Sequence, residues 1–171
     1  MNRVDFESEN KDLLLGRWNK LNSGEEASRI GVESQTANLL RAASKDSIER
    51  SADMRFPLFE LVNDSAALKA ALNARPDRDP EALDAELFNF LVNRREAARK
   101  GVLFAQTAYR LTREACDLLV NATVQQLMAA ASSRANLIRL SAPYQYFFHA
   151  HARFDKDSSQ RTALFLTSMA A

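Results

Sequence analysis

Apolar residues return at helical spacing along most of the chain, over 12–21, 25–30, 34–43, 47–54, 65–73, 80–100, 102–128 and 134–140. A period near 3.6 residues predicts a helix in each stretch. Two segments break the rhythm. Arg55-Phe56-Pro57-Leu58-Phe59-Glu60-Leu61 and Tyr144-Gln145-Tyr146-Phe147-Phe148-His149 are dense in aromatic residues, and each has a proline within it or just before it. Proline discourages helix both at its own position and at the one preceding it, so both segments are predicted to be short and extended. The predicted fold is all-α: a helical bundle with two short aromatic extended segments.

Between the helical stretches, Asn73-Ala74-Arg75-Pro76-Asp77-Arg78-Asp79-Pro80 is the piece richest in proline and charge. It cannot be helical throughout and marks the best boundary. The same order of features runs on both sides of it: an apolar helix, a second helix, an Ala-rich helix ending in Ser, a short helix and an aromatic patch. An ungapped shift of 89 positions places Leu14 on Leu103, Glu25 on Glu114, Ala42 on Ala131, Ser44 on Ser133, Ile48 on Leu137, Arg50 on Arg139 and Phe59 on Phe148. This predicts a diverged tandem repeat, 1–74 and 81–171, packed together as one pseudo-dimeric unit. Ala-rich helical sequence also aligns with itself easily, which is the plainer explanation of the same shift.

Composition narrows the chemistry. In 171 residues, 46% are hydrophobic and 26% charged, enough to bury a core. Only four Gly and four Pro force turns. Lys+Arg of 23 against Asp+Glu of 22 leaves a net charge of +1, so no global field draws the chain to nucleic acid or an anionic membrane. Any DNA affinity is local or borrowed from a partner. One cysteine, Cys116, allows neither an internal disulfide nor a thiolate zinc site, which fits a reducing, cytoplasmic setting. The polar N-terminal stretch and the absence of a span-length apolar run argue against export and membrane insertion.

The stretch most like a DNA reader is 25–41. A helix-turn-helix places a small residue in its first helix, Gly four positions on at the turn, and apolar residues at the packing positions of the second helix. Ala27, Gly31, Val32, Ala37 and Leu40 meet that spacing. Ser34, Gln35, Asn38 and Arg41 would then face a major groove. A plain helical hairpin with a glycine cap satisfies the same spacing, and Glu25, Glu26 and Glu33 would repel phosphate.

Other candidate chemistry is sparse. His149 and His151 would need further metal ligands, for which only Asp155 and Asp157 are near in sequence, so no metal site is expected. Cys116 lies on an amphipathic stretch with no His close by and reads as a core thiol. No phosphate-cradling glycine loop and no nucleophile elbow occur, and neither a cofactor nor an enzymatic activity is expected. Phe56, Leu58 and Phe59 in one aromatic segment, with Tyr146, Phe147 and Phe148 in the other, are expected in cores or at a repeat or partner interface.

Several of these segments resemble the FlhD family, the helical subunit of the bacterial FlhD/FlhC-type transcription regulator. Val102-Leu103-Phe104-Ala105-Gln106 looks like the family's first element. Leu137-Ile138-Arg139-Leu140-Ser141, Gln145-Tyr146-Phe147-Phe148-His149 and Arg153-Phe154-Asp155 look like its last. In the first half Arg29-Ile30-Gly31-Val32, Ala37-Asn38, Leu40 and 48–52 match the middle of the pattern. Val120-Asn121 stands where the family has Gly, and the cysteine that the family can use between subunits falls near Phe148. The resemblance implies an oligomeric transcription regulator acting with an FlhC-like, zinc-binding partner, contacting DNA as part of that complex and RNA polymerase in turn. The alternative is a helical adaptor or anti-activator that binds a regulator or secretion component without touching DNA.

Overall fold

In the computed structural model, residues 6–75, 83–133, 135–152 and 158–169 are described. They form ten α-helices, one turn of 3-10 helix and two three-residue strands, so the fold is predominantly all-α. The chain divides into two compact units. Unit 1 comprises Met1–Phe59 and Arg139–Ala171, and unit 2 comprises Glu60–Ile138. The compact units are therefore not the consecutive halves 1–74 and 81–171. Residues 76–82, the expected boundary, lie outside the described residues.

Unit 1 starts with α1, Phe6–Asn22, which buries Asn10, Leu13, Leu14, Arg17 and Leu21. The expected helix over 25–30 is a single 3-10 turn, Ala27–Ile30. Gly31 ends it in the left-handed region at φ 69°, which costs a residue without Cβ nothing. Next come α2, Ser34–Ala42, and α3, Lys45–Ala52, the latter capped by the Ser44 hydroxyl on Ser47 N–H. Both pack on α1. Asn10 closes the unit from within: its side chain donates to the Phe56 carbonyl at 2.8 Å and accepts from the buried Leu58 N–H at 2.7 Å.

The remainder of unit 1 comes from the far end of the chain. Here α9, Tyr144–Ala152, packs on α2 and α3, and α10, Ser158–Met169, packs on α9. The second aromatic segment is thus helical, not extended. Pro143 sits just outside the helix, and its carbonyl accepts the Tyr146 N–H at 3.0 Å. Proline ends a helix that arrives at it but is well suited to one that leaves it. No helix was expected over 158–169.

In unit 2, α4, Ser65–Leu72, is capped by the Asp64 carboxylate and packs on α7 and α8. The expected single helix over 102–128 is three: α6, Val102–Tyr109; α7, Arg113–Asn121; and α8, Val124–Ser132. Arg110 turns into the left-handed region after α6, and Thr112 and Thr123 cap the next two starts. Thr123 and Gln126 form a reciprocal capping box. All three helices are organised by α5, Ala85–Lys100, which packs against α6, α7 and α8. The Arg94 guanidinium of α5 is buried between the rings of Phe90, 3.9 Å away, and Tyr109, 4.3 Å away.

The strands are β1, Phe59–Leu61, and β2, Ile138–Leu140. The first falls in the first aromatic segment as expected; the second replaces the end of the helix expected over 134–140. They pair as one two-stranded sheet. Within unit 1 Ser141 N–H donates to the Leu58 carbonyl at 2.8 Å, and within unit 2 Val62 N–H donates to Leu137 at 2.9 Å, an antiparallel register.

The element order of the two halves corresponds, but not at the expected shift. The buried positions Asn10, Leu13, Leu14, Arg17 and Leu21 of α1 match Leu87, Phe90, Leu91, Arg94 and Ala98 of α5, each 77 positions later. Helix α2 matches α7 at 79, with Thr36, Ala37 and Leu40 buried where Ala115, Cys116 and Leu119 are, and α3 matches α8 at the same spacing, with Ile48 and Ala52 buried where Leu127 and Ala131 are. Strand β1 matches β2 at 79, and Leu68 and Ala71 of α4 match Phe147 and Ala150 of α9 at the same spacing. The 3-10 turn Ala27–Ile30 falls on the end of α6, and Gly31 falls on Arg110, both in the left-handed region, so one register holds from Ala27 onward. The ungapped shift pairs buried Leu14 with Leu103, which is 80% exposed, and strand residue Phe59 with helical Phe148.

Candidate recognition surfaces

The short connector after α1 and the tight turn at Gly31 deliver α2 with one face to solvent. Thr36, Ala37 and Leu40 are buried, while Ser34, Gln35, Asn38 and Arg41 are exposed. At 100° per residue Ser34, Asn38 and Arg41 form one stripe with Gln35 beside it. Arg41 donates to the Asn38 side-chain oxygen at 3.3 Å and, from Nε, to the Leu21 carbonyl at 3.5 Å. All four residues singled out from the sequence are therefore brought together. Glu33, at the N-cap, makes no side-chain cap, and Glu25, Glu26 and Glu33 are all exposed nearby in sequence.

The aromatic candidates separate into core and surface, and all belong to unit 1. Leu58, Phe59, Tyr146 and Phe147 are buried; Phe56 and Phe148 face solvent. Tyr146 is packed edge to face with Phe147 at 5.1 Å and Phe165 at 5.7 Å, and its hydroxyl donates to the Ser51 carbonyl at 2.6 Å. Burial pushes its phenol well above the ordinary range, the Arg161 charge opposing and the Asp53 charge adding to the rise. Arg161 of α10 in turn pairs with the Asp53 carboxylate beyond the end of α3. On the surface, Tyr144 stacks on Phe148 at 5.9 Å.

Unit 2 carries surfaces that the sequence reading did not single out. Val124 and Met128 of α8 are 52% and 42% exposed and occupy the positions that Lys45 and Glu49 hold on α3. On α6, Leu103 and Phe104 are exposed. A cleft of about 320 Å³ is lined by Lys69 and Asn73 of α4 with Glu114, Asp117 and Asn121 of α7. Such exposure is invisible to periodicity, which assigns every apolar residue on a helix to the core.

The titratable candidates are dispersed. His149 is exposed on α9 beside the Phe148 ring, at 5.4 Å; Asp155 and Asp157 lie outside the described residues. Among the described residues no group of three or more His, Cys, Asp or Glu is placed to hold a metal ion. Cys116 is buried on α7, and burial, with the Asp117 charge, raises its thiol pKa and keeps it protonated. Among the described residues no helix is long and apolar enough to cross a membrane. No protein-family model matches the chain, and no curated protein or solved structure matches it either.

Proposed function

We propose that this chain is a subunit of a bacterial transcription regulator of the FlhD/FlhC type, with two FlhD-like repeats in one polypeptide, acting on promoters together with an FlhC-like DNA-binding partner. The observation that carries the reading is the α2 face, where Ser34, Gln35, Asn38 and Arg41 stand together in solvent after the Gly31 turn. Amide and guanidinium side chains on the exposed side of a helix are the groups that read base edges in a major groove. The balanced charge and the nearby glutamates leave phosphate neutralisation to the partner, since phosphate contacts supply most of the affinity.

A second reading, a helical adaptor that binds a regulator without touching DNA, is favoured by the apolar exposure of Leu103, Val124 and Met128. A mobility-shift titration with and without the partner separates the two. The regulator reading expects weak, unselective binding by the lone chain and tight, selective binding by the complex, with Gln35→Ala and Arg41→Ala each relaxing specificity by about 1–3 kcal/mol. A complex that never shifts DNA supports the adaptor.

A further inference from the structure

Helix α6 answers to only a single 3-10 turn, Ala27–Ile30, in unit 1, and it is poorly spent as core. Of its eight residues only Ala105 and Tyr109 are buried. Leu103, 80% exposed, and Phe104, 37% exposed, lie with exposed Thr107 on one face, the spacing i, i+1 and i+4. Phe104 is held there by an edge-to-face contact with Tyr109 at 6.1 Å. An apolar side chain as exposed as Leu103 contributes little to folding, and together with Phe104 it forms a small apolar patch that a partner can cover.

The flanks of α6 are basic. Residues 94–113 carry six Arg or Lys and one Glu, of which Arg94 is buried and Arg95 half-buried, while elsewhere acidic residues outnumber basic ones. Arg99 and Lys100 are exposed at the end of α5, and Arg110 and Arg113 are exposed beyond α6. Arg99 pairs with Glu96 at 3.3 Å and Arg110 approaches Glu60 at 4.0 Å. A helix of eight residues is about 12 Å long, and exposed cations flank it in sequence on both sides.

We propose that this surface docks an acidic amphipathic helix of a partner protein, with aliphatic side chains on Leu103 and Phe104 and carboxylates meeting Lys100 and Arg113. The chemistry selects against the other anionic partners. Nucleic acid offers phosphates but nothing to cover Leu103. A membrane surface is held by an apolar face running the length of a longer helix, and α6 offers two side chains. This surface is separate from the α2 face and stands whether or not α2 meets DNA.

The test uses the full chain and a fluorescent synthetic peptide of about 16 residues with Leu on one helical face and Glu or Asp elsewhere. Anisotropy should show saturable binding that weakens about tenfold or more in Leu103→Asp and falls with added salt and in Arg113→Glu. The same peptide with Lys for its acids should not bind. Both substitutions are at exposed positions, and an unchanged thermal melt verifies the fold. The proposal is overturned by absence of peptide binding, by binding that survives Leu103→Asp, or by Leu103-dependent binding to phosphatidylserine vesicles, to duplex DNA or to a second copy of the chain in its place.

Discussion

Helices α2 and α7 hold equivalent places in the order of their halves and bury equivalent positions, Thr36, Ala37 and Leu40 against Ala115, Cys116 and Leu119, yet their solvent faces differ. One shows Ser34, Gln35 and Asn38; the other shows Arg113, Glu114 and Asp117. The buried side of an element is constrained by packing density, whereas its outer side is constrained only by what it meets. The divergence of the outer sides is thus the more informative about function, and it separates a largely uncharged polar face in unit 1 from a charged one in unit 2.

The largest effect expected concerns how the halves contribute to the units. Helices α9 and α10 complete unit 1 around α2 and α3, while α4 lies on α7 and α8 in unit 2. A protease site placed within 76–82 and cut should therefore leave two fragments that co-elute, neither folding alone. Two separately folded fragments, each with its own cooperative melt, would break the correspondence outright.

Next in size are the buried side chains of the completing helices. Phe147→Ala should cost about 3–5 kcal/mol and its counterpart Leu68→Ala about 2–5, read by urea denaturation. Trp18 of α1, the single tryptophan, reports on unit 1, so its fluorescence should follow the Phe147 variant. A Trp18 transition unmoved by Phe147→Ala would contradict the assignment of α9 to that unit.

Smaller effects come from single polar devices present in one unit and replaced in the other. Asn10 stands where α5 has Leu87, and Asn10→Leu orphans the buried Leu58 N–H at a cost of about 1–3 kcal/mol. Thr112 caps α7, whereas Glu33 leaves α2 without a side-chain cap. Thr112→Ala should cost about 1 kcal/mol, and Glu33→Thr should gain a few tenths to about 1, both measured by thermal melting. A destabilising Glu33→Thr would mean that α2 starts in a geometry different from that of α7.

The helices were legible because their apolar stripes are long and regular, and the stripe on α2 was enough to pick out Ser34, Gln35, Asn38 and Arg41 as one exposed face. The long stretch 102–128 was misread because apolar periodicity runs through its breaks, although Thr123 followed by Gln126 is a capping-box signature. Ile138-Arg139-Leu140 alternates as a strand does, but three residues are too few for periodicity to decide. Pro143 was taken to forbid the helix that it begins. The correspondence between halves was missed because, at the 79-position register, it lies in buried positions, caps and turns, while few residues are identical. Exposed Leu103 and Met128 were hidden because a sequence does not show which side of a helix is left uncovered.

The central claim, that the polar face of α2 reads DNA within a complex, is tested most directly by exchanging the two outer faces. In a mobility-shift titration with the FlhC-like partner, Gln35→Glu with Asn38→Asp, the residues of α7, should lower selective DNA affinity by about tenfold or more while leaving the melt unchanged. The reciprocal Glu114→Gln with Asp117→Asn should leave DNA affinity as it is. Unaltered selective binding by the first variant would contradict the account and leave the α2 face without a role in recognition.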